Sequence, residues 1–176
     1  MSFGFPETIE EIAKAIFLAN AGNFGPYQDD AFPASHSAVI GFRATTSLGT
    51  FLDTNPMNGN DDSPVFGTYV DDIPRRLREY KPQICQSGSS AATAIVGGMT
   101  AMILAYVTIL PTLMPLEDKA GLLLRAWTAE GMQKIFNRMS GDMGNRKRFL
   151  NPVKFFLDKP TELAKYCAIF DSLQGK

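Results

Sequence analysis

Histidine is nearly absent from this chain of 176 residues, where His36 stands alone. A metal site built on several imidazoles is thereby excluded. Cysteine is almost as scarce: Cys85 and Cys167 are too few for a disulfide-dense secreted scaffold. One pair could form, but two thiols suit a reducing compartment as well. Neither sign of charge prevails, with 17 Lys and Arg against 18 Asp and Glu. The net charge of −1 gives no whole-molecule field to draw the chain to nucleic acid or an anionic membrane. There is no Walker loop and no Gly-x-Gly-x-x-Gly, so nothing points to a nucleotide, and no internal repeat is visible. No cofactor and no metal are expected.

What the chain does have is the make-up of a folded domain. At 45% hydrophobic and 20% charged residues it is neither disordered nor of low complexity. Its length is room for one ordinary domain. The even charge hides an asymmetry: residues 1–72 hold ten acids and two bases, while residues 73–176 hold eight acids and fifteen bases. Two oppositely charged surfaces of one fold account for this. The basic groups Arg75, Arg76, Arg78 and Arg146, Lys147, Arg148 are short and lack interleaved aromatics, unlike a polyanion site.

Along the chain, Met1-Ser2-Phe3-Gly4-Phe5-Pro6 has no basic start and no long apolar run. It reads as a short strand rather than a leader, and an intracellular location is expected. Pro6 and the acids Glu7, Glu10 and Glu11 open a short helix with Ile9, Ile12, Ala13 and Ile16 on one face. Strands are expected at Phe17-Leu18-Ala19 and across Ala38–Ala44, separated by the breakers of Asn20–Pro26. This order suggests an α/β domain with a parallel sheet. Residues 45–83 read as long loops with one short strand near Val65-Phe66. Asp61 and Asp62 match no twelve-residue calcium loop and read as a solvated turn.

No charged residue occurs from Ile84 to Leu116. Residues 91–110 are long and apolar enough to cross a bilayer, which needs about 20 residues, so a single-pass membrane protein is one reading. The other is a helix in the centre of an α/β domain, favoured by the small residues Ala92, Gly97 and Gly98, which would let neighbours approach. Further on, Leu124, Trp127, Ile135 and Met139 mark one face of a single helix over 117–139. Phe149–Leu157 reads as extended, and Pro160 opens a last helix.

Two segments carry candidate chemistry. Ala21-Gly22-Asn23-Phe24-Gly25 follows an apolar strand, and Ser87-Gly88-Ser89-Ser90-Ala91-Ala92-Thr93 opens the uncharged helix. Each alone is a common turn or cap. Together they suggest an oxyanion hole: a serine among the free N–H groups of a helix start, and an asparagine amide aimed at the same point.

These residues resemble the C-terminal half of a subtilisin-like (subtilase) serine peptidase domain. Ser87–Thr93 is similar to the family's Gly-Thr-Ser-x-Ala-Thr-Pro motif, and Ala21–Gly25 to its Ala-Ala-Gly-Asn-x-Gly. Between them, Phe32-Pro33-Ala34 and then Val39-Ile40 and Ala44 follow the family's Tyr-Pro-Ala and Val-Ile-x-Val-x-Ala in order. Met1–Gly4 resembles the strand that pairs with a bound peptide, and Pro152–Phe156 a segment of one intracellular branch. The resemblance implies a three-layer fold, with residues 1–115 the C-terminal part of the peptidase domain and 116–176 a helical extension. It implies a peptide or protein substrate and peptide-bond hydrolysis, with Ser90 as nucleophile and Asn23 as oxyanion-hole donor. Ser2, Phe3 and Gly4 would bind the peptide backbone, and Ala21 and Gly22 would border the side-chain pocket.

The sequence departs from the family at Ser89 (usually Thr), Ala94 (usually Pro) and Asn20 (usually small and apolar). In the family the catalytic Asp and His precede the strand that here begins at Met1, so the chain should contain neither. His36 lies between Asn23 and Ser90 and does not correspond to the base. A serine without a base is a weak nucleophile, so the chain alone is expected to be inactive. A non-catalytic remnant serving as a binding module is the alternative.

Overall fold

Apolar and β-branched residues between turn clusters form the strands. In the computed structural model, which describes residues 15–56, 63–70, 88–113 and 119–174, β1 is Phe17–Asn20, β2 is Val39–Thr45 and β3 is Val65–Tyr69. All three run parallel, with Phe17 opposite Val39 and Phe42 opposite Phe66. Two more strands, β4 (Ser140–Asp142) and β5 (Lys147–Leu150), complete a five-stranded sheet in the order β1-β2-β3-β5-β4. β5 is parallel to β3, and β4 alone is antiparallel. The fold is therefore α/β with a mostly parallel sheet. The expected strand at residues 1–5, with Ser2, Phe3 and Gly4, lies outside the described residues. So do most of the helix expected after Pro6, the acids Asp61 and Asp62, and the bases Arg75, Arg76 and Arg78.

β2 is central and covered on both faces, as a parallel strand should be. Ile40, Phe42 and Ala44 alternate with Val39, Arg43 and Thr45, and all six are buried. The first face carries the helices: α1 (Ser89–Leu113), α2 (Lys119–Ala126), α3 (Ala129–Met139), α4 (Pro152–Asp158) and α5 (Glu162–Gln174). Each contributes to one apolar cluster with Ile40, Phe42, Phe66 and Leu150. At its centre Phe136 meets Phe42 and Phe66 edge-on, with centroids 5.5 and 5.9 Å apart. That geometry is favoured by the ring quadrupoles.

Loops cover the opposite face. Ala34 packs with Ala19 and Val39, and Phe51 and Thr45 crowd Gly67 so closely that an added Cβ would sit 2.5 Å from the Thr45 methyl. The second helical layer that a three-layer fold requires has no representative among the described residues.

The C-terminal third differs from its sequence reading in three places. The single helix expected over 117–139 is broken at Thr128, whose extended backbone caps α3. Its hydroxyl accepts from the Gly131 N–H (3.0 Å), and a Cβ at Gly131 would sit 1.9 Å from the Arg125 carbonyl oxygen. Leu124 and Trp127 consequently face solvent while Ile135 and Met139 are buried. Second, Phe149–Leu157 is not extended throughout. Asn151 accepts the Lys154 N–H (3.0 Å) as the cap of α4, with Pro152 at the first turn, where its missing N–H costs nothing. Third, the tail is not purely helical: β4 and β5 join the sheet, and residues on both sides of position 116 share one core.

α1 also departs from expectation. Ala92 is buried against Ala44 and Val70, but a Cβ at Gly97 or Gly98 would meet nothing within 4 Å. The buried stripe is Val96, Thr100, Ile103, Leu104 and Val107. The hydroxyls of Thr93, Thr100 and Thr108 each donate to the carbonyl four residues back, at 2.7–2.8 Å, which lets an uncharged helix hide polar groups. With its φ negative and open space around it, Gly97 contributes only backbone entropy to the unfolded state. Gly97→Ala is expected to stabilise the fold by about 0.5–1 kcal/mol, read from the denaturation midpoint.

Candidate active site

The site is built where β1 runs out. Beyond Asn20, the Ala21 N–H still bonds to the Phe42 carbonyl (3.0 Å), which carries the chain one residue past the strand at the C-terminal edge of the sheet. Gly22 then turns sharply at φ +110°, a conformation that favours glycine. The turn presents the Gly22 carbonyl and the Asn23 side chain to the start of α1.

α1 begins with an obligation. The first four N–H groups of a helix have no carbonyl one turn earlier to receive them. The Ser89 N–H, in a residue wholly shielded from solvent, donates to Asn23 Oδ1 at 2.9 Å. The Ser89 hydroxyl donates to the Gly22 carbonyl at 3.0 Å. Gly88 makes this approach possible, since a Cβ there would lie 3.0 Å from Asn23 Nδ2 and 3.1 Å from Oδ1. Segments 66 and 67 positions apart in sequence are thus held by two short bonds.

The orientation of the Asn23 amide follows. Only its oxygen can accept the Ser89 N–H, so Nδ2 is left as a donor on an exposed side chain beside the helix start. Ser90, the next residue, is exposed in the first turn of α1. Among the described residues Ala92 makes the first backbone bond at the helix start, to Gly88 (3.1 Å). The positive end of the helix dipole lies there as well. The exposed Ser90 hydroxyl and the Asn23 amide thus lie at the same helix start, joined through Ser89.

The neighbouring loops are held by buried polar groups. Asn55 is wholly buried and mimics a strand: its Oδ1 accepts the Ala44 N–H (3.0 Å) and its Nδ2 donates to the Ala44 and Leu52 carbonyls. Thr54 then accepts the Gly25 N–H (3.0 Å), tying this loop to the turn that carries Asn23. Arg43 pairs with Asp30 and donates from Nε to the Pro56 carbonyl (2.9 Å). Burial moves both groups of the pair toward neutrality, raising the Asp30 carboxyl and lowering the Arg43 guanidinium, and their mutual attraction opposes this.

The other residues singled out by the sequence fall elsewhere. Ala21 is wholly buried, and Gly22 is buried with its carbonyl taken up by Ser89. His36 is half-buried, and its Nδ1 accepts the Ala38 N–H (3.1 Å). It precedes β2, at the edge of the parallel sheet opposite to the one where Asn23 follows β1. A cavity of about 540 Å³ at the β4 edge, between Ser140, Asp142, Phe149 and Lys154, is lined by neither Asn23 nor Ser90. No group of His, Cys, Asp and Glu suited to a metal occurs among the described residues. Sequence reasoning passes over Ser89, Asn55 and the Arg43–Asp30 pair. The run of two serines after Gly88 is the available signal for the first, since a cap and its neighbour share one helix start.

No protein-family model, curated protein or solved structure matches the chain.

Two outcomes follow from the geometry. Ser89→Ala removes a buried donor from the Gly22 carbonyl and should cost about 1–3 kcal/mol in a chemical denaturation series. Asp30→Asn leaves the Arg43 guanidinium buried without its counter-charge and should cost about 3–5 kcal/mol. The double replacement Asp30→Leu with Arg43→Met should recover much of that loss.

Proposed function

We propose that the chain is the part of a subtilisin-like serine peptidase that carries the nucleophile and the oxyanion hole. It would hydrolyse peptide bonds when a separate segment supplies the base. Ser90 Oγ attacks the scissile carbonyl carbon, and the Ser90 N–H and Asn23 Nδ2 donate to the oxygen as it becomes negative. The observation that carries this reading is the 2.9 Å bond from the Ser89 N–H to Asn23 Oδ1. It ties the amide oxygen to Ser89, the neighbour of the exposed Ser90, and leaves Nδ2 as the end of the amide able to donate. The α/β architecture with a mostly parallel sheet is compatible with that family's fold.

The attack also needs a proton acceptor at Ser90 Oγ, and none stands there among the described residues. The reading therefore takes the isolated chain to be inactive. The same observation keeps a non-catalytic binding module as the second reading.

The coding sequence upstream of Met1, and any longer chain it encodes, provide the test. An Asp and a His-Gly pair in frame there are expected. The 176-residue chain should neither cleave casein nor take up a serine-directed phosphonate, while the longer chain should do both. Ser90→Ala should abolish both activities, and Asn23→Ala should lower turnover by about 10²–10³, the scale of one oxyanion donor. A longer chain that stays inert would leave the binding module as the reading. A short chain that cleaves casein through Ser90 would show that a base lies within it, and His36→Ala would then be the variant to measure.

A further inference from the structure

The face of α1 turned away from the sheet carries a pattern of its own. Ile95, Met102 and Ile109 recur every seven residues, and all are exposed, Met102 at 73%. Gly98 and Ala105 lie between them at the spacing of a coiled-coil seam. No charge interrupts the stripe, because the chain has none from Ile84 to Leu116. Beside Met102 the stripe widens into an apolar groove of about 630 Å³ against α4, walled by Met99, Tyr106, Val153, Phe156 and Leu157. Val153 and Leu157 are 67% and 78% exposed.

We propose that this face pairs with the same face of a second copy, α1 against α1 and antiparallel, with the two-fold axis at Met102. Two features select that occupant. The first is self-complementarity. In an antiparallel pair centred on Met102, residues equally far before and after it face each other. Ile95 then meets the partner's Ile109, Met99 meets the partner's Ala105, and Gly98 meets the partner's Tyr106. Met99 and Tyr106 each face a small residue, which is how two helices interdigitate. Tyr106 is held in place for this by its bond to Glu162 (2.7 Å) and an edge-on contact with Phe156.

The second feature is area. An aliphatic side chain carries on the order of 100 Å² of apolar surface, so the five exposed ones supply about 300–400 Å². That is roughly 40–50% of the 800 Å² each partner buries in a standard interface, with the rest of the contact falling to the exposed Gly98, Ala101 and Ala105 and the half-buried Met99 and Tyr106. A bilayer fits less well. The opposite face of α1 is committed to the sheet, and the lysine at the groove, Lys165, is paired with Glu162 and selects no anionic lipid. Gly98, Ala101 and Ala105 form a shallow track for another backbone rather than a wedge for acyl chains.

The 176-residue chain with Cys85→Ser and Cys167→Ser serves for the test. Sedimentation should show a concentration-dependent dimer. Met102→Cys should cross-link to itself under mild oxidation. Ile95→Cys should cross-link when mixed with Ile109→Cys and not by itself. Met102→Glu, at an exposed position, should keep the circular dichroism of the parent, and its melting at concentrations where both are monomeric, while raising the dimer dissociation constant at least about 30-fold. A chain monomeric at every concentration, a dimer indifferent to Met102→Glu, or a monomer that pellets with phosphatidylcholine vesicles would each overturn the proposal. The readout involves no catalysis, so it stands or falls apart from the peptidase reading.

Discussion

A helix that starts inside a protein must find acceptors for its first amides, and at the C-terminal edge of this sheet that requirement organises the rest. Ser89 is fully shielded, so its N–H cannot turn to water. Leaving it unpaired would cost about 1–3 kcal/mol, a sizeable fraction of a domain's net stability. Asn23 removes that cost and is itself fixed by doing so. The bond therefore has two consequences of different kinds. It docks α1 onto the turn after β1, and it fixes which end of an exposed amide faces outward. Gly22 and Gly88 serve the same contact, one by its positive φ and the other by having no Cβ.

How much of this is legible in the sequence depends on which physical signal is local. Strands β1, β2 and β3 are legible because apolar runs between turn clusters are self-contained: Phe17-Leu18-Ala19, Ala38–Ala44 and Val65-Phe66 each lie within a residue or a few of the observed elements. The break at Thr128 is not, because Leu124, Trp127, Ile135 and Met139 keep a helical spacing straight across it. The cap is written only in one hydroxyl and in a glycine that touches the Arg125 carbonyl. β4 and β5 escape notice for a related reason. Ser140-Gly141-Asp142 has no apolar pattern, and it becomes a strand because Arg148 to Leu150 lies alongside it. In the candidate site, the segments carrying Asn23 and Ser90 stand out by composition. Ser89 does not, since nothing in the sequence distinguishes a serine that anchors from its neighbour that is exposed.

The glycines of α1 show the limit of reasoning from residue size. Small residues in an apolar helix suggest close neighbours, and Ala92 has them. Gly98 lies on the other side of the cylinder and Gly97 at the edge of the buried stripe, two turns before Leu104, and neither has a neighbour within 4 Å of an added Cβ. The difference is a matter of phase: Ala92, Val96, Ile103 and Val107 define the buried stripe, and neither glycine lies within it. A segment without charges cannot reveal that phase, because polar residues on the outer face ordinarily mark it.

The distribution of polar groups also separates two kinds of chemistry that a serine at a helix start can serve. Free amides, a helix dipole and an asparagine nitrogen stabilise a negative oxygen, whether it belongs to a bound anion or to a tetrahedral intermediate. They act before any proton moves. Making Ser90 a nucleophile is a different demand, because its hydroxyl must lose a proton to a group placed within hydrogen-bond reach. His36 cannot meet it: it sits at the opposite edge of the sheet, and its Nδ1 already accepts the Ala38 N–H. Donors alone retain only about 10³–10⁴-fold over water in an enzyme stripped of its base. The proposed site around Asn23 and Ser90 thus has candidate donors for a negative oxygen but, among the described residues, no acceptor for the Ser90 proton. The distinction is physical: phosphonate uptake requires an activated hydroxyl, whereas binding of a small anion at the helix start does not.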